Sequence, residues 1–248
     1  MAHAAMETMM RLDVIATYSE ALKAARTTGK QIVPPGEIPT YSEAIAIQAA
    51  IQTELGAVAG FKVAARPEGP PILAPISAHR VFDNGVAIPS PNMAGVELEI
   101  AFELMQPFSD APIGELFRPR LVMELVDTRF SGDSLDPMQK MSDMQLNDGL
   151  VLGPVLDSWD GSDFGTVQAR MTGADRVILD GAAEVPGGSA LANLQLCLDH
   201  LGDHCGGVQP GQHIITGSLC GLPWFGAGDV VQAQVAGFGE VKAALVPR

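Results

Sequence analysis

Basic residues and cysteines are scarce in this chain, and no stretch is apolar enough to cross a bilayer. Fifteen Lys and Arg stand against 29 Asp and Glu, giving a net charge of −14, and no basic run exceeds two residues. A nucleic-acid surface needs clustered positive charge, so that class of partner is excluded. An acidic chain also repels anions at long range, and an anionic substrate would need a local cation to hold it. The three cysteines (Cys197, Cys205 and Cys220) cannot all pair within one chain, and their spacing is that of no zinc knuckle. No run approaches the roughly 20 apolar residues of a membrane span. Met1 to Arg11 lacks the basic start and apolar core of a signal peptide. The expectation is a protein of the reducing cytoplasm, with neither nucleic acid nor membrane as partner.

What is present is globular. A hydrophobic fraction of 47% and a charged fraction of 18% over 248 residues suit one large domain, or one domain with a small N-terminal appendage. Residues 11–28 carry the stripe Val14, Tyr18, Ala21, Leu22 and Ala25 and end at Gly29, which predicts an amphipathic helix. After the linker Pro34-Pro35-Gly36, Thr40-Tyr41-Ser42-Glu43 has the form of a capping box, and a second helix is predicted to about Leu55. From Gly60 the pattern turns to strands, with runs at 96–104, 121–126, 166–171, 176–179, 212–216, 229–236 and 239–246. A helix is predicted near 189–201. Asp83-Asn84-Gly85, Asp180-Gly181 and Gly237 read as turns. We therefore expect an α+β fold, with an N-terminal helical segment over 1–58 packed on a β-rich core over 59–248.

Three glutamates carry the chemistry. In Val96-Glu97-Leu98-Glu99-Ile100-Ala101-Phe102-Glu103-Leu104, alternate side chains of a strand face opposite ways. Glu97 and Glu99 then share a face where like charges repel. A solvated outer face would explain that pair alone. It does not explain Glu124, which lies inside Leu121-Val122-Met123-Glu124-Leu125-Val126, a run apolar on both faces. A lone carboxylate there must be paired, protonated or bound to a cation. Three carboxylates on neighbouring strands suit a hard divalent ion with oxygen ligands, Mg²⁺ or Mn²⁺.

Lys62, inside Phe61-Lys62-Val63-Ala64-Ala65, is a candidate acid, base or anion clamp, or else a stem reaching solvent from a strand end. Residues 66–75 hold four prolines (Pro67, Pro70, Pro71 and Pro75) and read as a stiff loop that could cover a site. Arg66 would there be a clamp for a substrate carboxylate, or else a solvated residue of an ordinary surface loop. His200 and His204, with Gly202 breaking the helix between them, read as solvent-exposed rather than as zinc ligands. Asp127 with Arg129 reads as an ion pair or a turn.

With these residues in place, the chain resembles the fumarylacetoacetate hydrolase superfamily, in its 2-keto-4-pentenoate hydratase branch. The likeness rests on Pro39-Thr40-Tyr41-Ser42-Glu43-Ala44 with Ile47-Gln48, on Gly60-Phe61-Lys62-Val63, on the strand 96–102, on Met123-Glu124-Leu125-Val126-Asp127-Thr128-Arg129, and on Pro210-Gly211 through Ser218 with Ala227-Gly228-Asp229. It implies the superfamily's mixed β-roll, Glu97, Glu99 and Glu124 as ligands of Mg²⁺ or Mn²⁺, Lys62 as the catalytic cation, and a homo-oligomer. It also implies Asp143, Thr216 and Ser218 as substrate-binding residues beside Arg66. The implied activity is hydration of a 2-hydroxy-2,4-dienoate or 2-oxo-enoic acid, a small anionic substrate of aromatic-compound catabolism. Decarboxylation of the 4-oxalocrotonate type and acylpyruvate C–C hydrolysis share the same enolate chemistry. Three departures bear on the choice, the first being Ala64-Ala65-Arg66 and the proline loop where the family has a small polar stretch after the lysine strand. The branch's Asp-Asn-x-Ser motif reads Asp143-Met144-Gln145-Leu146 here, and no lid His–Glu pair is evident, with His79 the one histidine left open for that role. A non-catalytic subunit that supports an active paralogue is the alternative of another class.

Overall fold

The computed structural model describes residues 2–90, 93–132 and 134–248. In chain order the elements are α1 (Ala2–Thr28), α2 (Tyr41–Leu55), β1 (Val58–Ala64), β2 (Ile72–Ser77), β3 (Val81–Asp83), β4 (Ala87–Ser90) and β5 (Met93–Leu104). Then come α3 (Ile113–Leu116), β6 (Phe117–Val126), α4 (Pro137–Ser142), β7 (Asn147–Val155), β8 (Thr166–Gly173) and β9 (Arg176–Glu184). The chain closes with α5 (Ala190–Leu201), β10 (His213–Ser218), β11 (Trp224–Gly226), β12 (Val230–Val235) and β13 (Gly239–Pro247). The larger sheet runs β2-β1-β10-β5-β6-β7-β3, with β11 added to β5, and the smaller runs β4-β13-β12-β8-β9. The expected α+β architecture with an N-terminal helical pair is what the chain adopts.

Alternation along β5 decides where the core sits. Val96, Leu98, Ile100, Phe102 and Leu104 all enter the main cluster between the sheets, with Leu121, Met123 and Leu125 of β6 and Val231, Ala233 and Val235 of β12. The opposite face of the larger sheet rolls inward around Ile76, Ala101, Val122, Leu150 and Ile215. β6 is therefore buried on both faces, as its apolar run predicts. A third cluster joins Tyr18 and Leu22 of α1 to Ile47 and Ile51 of α2, Ala74, Phe130 and Met144. Thr40 caps α2 in a full capping box with Glu43, and Gly56 ends it at φ 86°. Gln48, fully buried, bonds the carbonyls of Leu73 (2.9 Å) and Met141 (2.6 Å), so one amide ties α2 to β2 and α4.

Several local expectations are corrected. Asp180-Gly181 is no turn: both lie inside β9, opposite Arg170 and Ala169. The β8–β9 hairpin turns instead at Ala174-Asp175, both with positive φ (51° and 57°), the geometry of a type I′ turn without glycine. The proline loop is shorter than 66–75, because β2 starts at Ile72 and Pro75 sits in it opposite Phe61. β2 is an edge strand, where a missing N–H costs no ladder bond. β7 carries two glycines and a proline and was not among the predicted runs. A Cβ on Gly149 would lie 2.4 Å from the Arg80 carbonyl oxygen, and one on Gly153 would lie 2.7 Å from that of Leu121. Glycine there marks close backbone approach rather than a loop. The predicted helix at 11–28 is the C-terminal part of α1.

Candidate metal centre

Register assembles the site. β5 and β6 pair antiparallel with Glu97 opposite Glu124 and Glu99 opposite Val122. Directly opposed residues point to the same face, so all three glutamates project from one face of the larger sheet. One carboxylate oxygen from each lies within 4.8 Å of those of the other two. Glu124 is fully buried, Glu99 nearly so, and Glu97 half-buried. β10 runs parallel to β1, with Ile215 opposite Lys62, and this places the lysine beside the carboxylates. Its Nζ lies 2.5 Å from Glu124 Oε1 and donates to the Gln145 carbonyl at 3.2 Å. Asn147 Nδ2 also donates to Glu124 Oε1, at 2.8 Å, and the Gly217 N–H donates to Glu99 Oε2 at 2.6 Å.

One lysine cannot balance three carboxylates. Two like charges ~4 Å apart repel by about 4 kcal/mol at a near-surface effective dielectric. Burial first, then Glu124, pushes the Glu97 carboxyl up to about 7, with Lys62 opposing. Burial, then Glu124 and Glu97, holds Glu99 well above the carboxylate range. Lys62 goes the other way: burial pulls its ammonium down, but Glu124, Glu97 and Glu99 outweigh it and hold its pKa above the ordinary lysine value. Glu124 Oε2 is buried with no hydrogen-bond partner among the described residues. A cluster of hard oxygen donors with excess negative charge and an orphaned buried oxygen fits a divalent cation.

Of the other predicted site residues, Ser218 alone adjoins the glutamates. Asp143 is fully buried, and both its oxygens are taken: Arg129 binds through its backbone N–H (2.9 Å) and Nε (2.7 and 2.9 Å), and Arg26 Nη2 through a 3.0 Å bond. Arg129 thus pairs with Asp143 rather than with Asp127. The Thr216 hydroxyl, also buried, donates to the Ile100 carbonyl at 2.8 Å and is spent inside the sheet. Ser218 adjoins Glu97 while donating to the Gly221 carbonyl at 2.7 Å. Arg66 follows the C-terminal end of β1, the end nearest Lys62, and reaches the Pro70 carbonyl at 3.5 Å within its own loop. His79 bonds Ser77 and faces a different, arginine-rich cavity. His200 is exposed, as predicted, but His204 is half-buried and bonds Gln48 Oε1 at 2.9 Å.

Three contributors escape sequence reasoning: Asn147, the Gly217 amide and the Gln145 carbonyl. The last depends on Met144, Gln145 and Leu146 all taking positive φ (53°, 48° and 64°), where a non-glycine residue costs about 1–3 kcal/mol. Nothing in Met-Gln-Leu signals a left-handed run. Asn147 did carry a signal, an amide side chain just ahead of Asp148-Gly149 and four residues past Asp143.

Comparison with solved structures decides the fold. The chain is similar to 4-oxalocrotonate decarboxylase from Pseudomonas putida G7, complexed with calcium and acetate, over 95% of this chain and 98% of that one (17% identity, TM-score 0.78). The same enzyme complexed with magnesium and adipate gives 18% identity and a TM-score of 0.77 over the same shares. The fold is that of the fumarylacetoacetate hydrolase superfamily. A 2-hydroxyhepta-2,4-diene-1,7-dioate isomerase from Mycobacterium marinum matches 77% of this chain and 76% of its own (16% identity, TM-score 0.55). No family model and no curated protein matches the chain. At these identities the likeness is one of fold.

Proposed function

We propose that this protein is a divalent-metal-dependent lyase acting on a small 2-hydroxy-2,4-dienoate or 2-oxo-enoic acid. The observation that carries it is the meeting of Glu97, Glu99 and Glu124 within 4.8 Å, with Lys62 on Glu124. Mg²⁺ or Mn²⁺ held there would supply Lewis-acid charge to the carboxylate and C2 oxygen of such an acid. It would also be the local cation that a −14 protein needs to hold an anion. Lys62 holds a proton at Nζ and lies where it can neutralise or protonate the substrate oxygen. The Gln145 carbonyl and Glu124 fix that ammonium from two sides. The Gly217 amide and Asn147 orient two of the carboxylates, leaving Glu124 Oε2 free.

Hydration is the first reading. Glu97 is only half-buried, so the cluster opens towards solvent on the side of Ser218, where water can be delivered. Decarboxylation is the second. It is favoured by the near full-length likeness to 4-oxalocrotonate decarboxylase, and by Asp143 being locked to two arginines, which leaves it no part in placing water. Neither reading needs a lid histidine, and His79 faces another cavity. The test is to supply purified protein and Mg²⁺ with 2-hydroxypenta-2,4-dienoate, 4-oxalocrotonate or an acylpyruvate, following loss of enol absorbance. A 4-hydroxy-2-oxo acid means hydration, and CO₂ means decarboxylation. Pyruvate with a free carboxylic acid, formed from the acylpyruvate, would refute both. A folded, metal-binding protein that turns over none of them would instead be a non-catalytic partner subunit.

A further inference from the structure

Between the helical pair and the start of β7 lies a cavity of about 320 Å³, separate from the carboxylate cluster. Its walls are positive in an otherwise acidic molecule. Arg26, Arg80, Arg129 and Arg248 line it, with Lys30 and neutral polar groups. Two carboxylates serve all four guanidiniums. Asp143 takes Arg129 and Arg26, and Asp148 takes Arg80 at 2.7 Å, Arg248 at 3.1 Å and the far edge of Arg129 at 3.5 Å. Asp127 adds one further carboxylate to the lining, its Oδ1 accepting the Thr128 N–H at 2.8 Å.

The guanidiniums are not satisfied by this arrangement. Arg129 is 5% exposed, yet its Nη1 makes no hydrogen bond among the described residues and has only the 3.5 Å ion-pair contact to Asp148, and the buried Nε of Arg26 has no hydrogen-bond partner among them. A buried donor left unpaired costs about 1–3 kcal/mol, more for a charged group. The local field shows in the titrating groups. Burial and then Arg129 push the Arg26 guanidinium down to about 10, and burial with Arg80 and Arg26 holds His79 below its ordinary range. The neutral imidazole beside them therefore adds no charge at pH 7. Fork-shaped donors pointing into one cavity match the oxygens of a carboxylate or phosphate.

We propose that this arginine-lined cavity binds a small doubly charged oxyanion, a dicarboxylate or a phosphate, at a site distinct from the metal centre. The excess charge of the lining calls for a dianion, and the volume admits only a small molecule. None of Glu97, Glu99, Glu124 or Lys62 lines it, so the site does not rest on the lyase reading; of the groups bonded to the cluster, Asn147 alone reaches both.

The test is calorimetric titration of the chelator-treated protein with succinate and, separately, inorganic phosphate at matched ionic strength. We expect one saturable site for at least one of them, the tighter ligand naming the class. Lys30→Gln with Arg248→Gln removes two cations from the exposed rim and should weaken binding about tenfold, which is ~1.4 kcal/mol. Asp148→Asn removes the competing carboxylate and should tighten it. If that variant does not fold, the rim pair decides alone. Absence of saturable binding for both anions would overturn the proposal, as would unchanged affinity in the rim variant. Binding that disappears in Lys62→Met would place the anion at the carboxylate cluster and overturn it equally.

Discussion

Protons and a divalent cation should compete for the same three carboxylates, and the competition has a calculable size. In the metal-free site the Glu97 carboxyl is pushed up to about 7 by burial and Glu124. One pH unit below that, about ten carboxyls in eleven are protonated, and one unit above, about one in eleven. Since a ligand must be deprotonated to bind, Glu97 alone should weaken apparent Mg²⁺ affinity about tenfold from pH 8 to pH 6. Glu99, held higher still, adds a second displaced proton. Below neutrality log Kd should therefore fall by about one to two for each unit rise in pH. Titrating Mg²⁺ in two buffers of different ionisation enthalpy counts the released protons directly. A flat affinity with no proton release across pH 6–8 would show that the cation, if it binds, does not bind these carboxylates. The same shifts fix the sign for the apo-protein. A carboxyl with a raised folded pKa binds more protons folded than unfolded. Its stabilising effect is full below the ordinary carboxylate range and is lost as pH rises through about 7. Metal-free protein should thus melt lower at pH 8 than at pH 6, and saturating Mg²⁺ should reverse the order.

Glu124→Gln keeps the shape of the buried side chain and should abolish measurable Mg²⁺ binding while circular dichroism and cooperative melting persist. Lys62→Met should lower kcat by about two to four orders of magnitude with metal binding intact, and near-normal turnover would reduce Lys62 to a packing residue. Asp143→Asn leaves Arg129 buried without its partner and should cost about 3–5 kcal/mol in urea unfolding. If its effect falls on KM with stability unchanged, Asp143 is a substrate residue after all. Arg66→Ala should raise KM about tenfold for dicarboxylate substrates if Arg66 clamps the distal carboxylate, and an unchanged KM for every active substrate would refute that clamp.

What the sequence alone makes legible is whatever a strong local rule governs. A strand's two-residue period put Glu97 and Glu99 on one face, and the burial implied by Leu121–Val126 made Glu124 anomalous. The capping box fixed the start of α2 because Thr40 and Glu43 need only each other. Sequence failed where meaning depends on a distant partner. Asp143 survives in an otherwise altered motif and so reads as a substrate residue, yet Arg26, 117 positions away, and Arg129 claim both its oxygens. Proline reads as a loop where β2 begins, yet Pro75 sits on a free edge, and β7 goes unread because glycines that permit close backbone approach interrupt its apolar pattern.

The segment 143–147 shows why such failures gather near a site. Asp143 anchors it through two arginines, three left-handed residues turn it, and it then delivers the Gln145 carbonyl to Lys62 and the Asn147 amide to Glu124. The strain of the turn, about 1–3 kcal/mol per residue, is sustained because the buried Arg129–Asp143 contact holds the chain at one end and the β7 ladder at the other. A segment whose side chains look unsuited to chemistry therefore supports the chemistry through its backbone. Its sequence can drift from a familiar motif while the lysine and the glutamate stay where they are held.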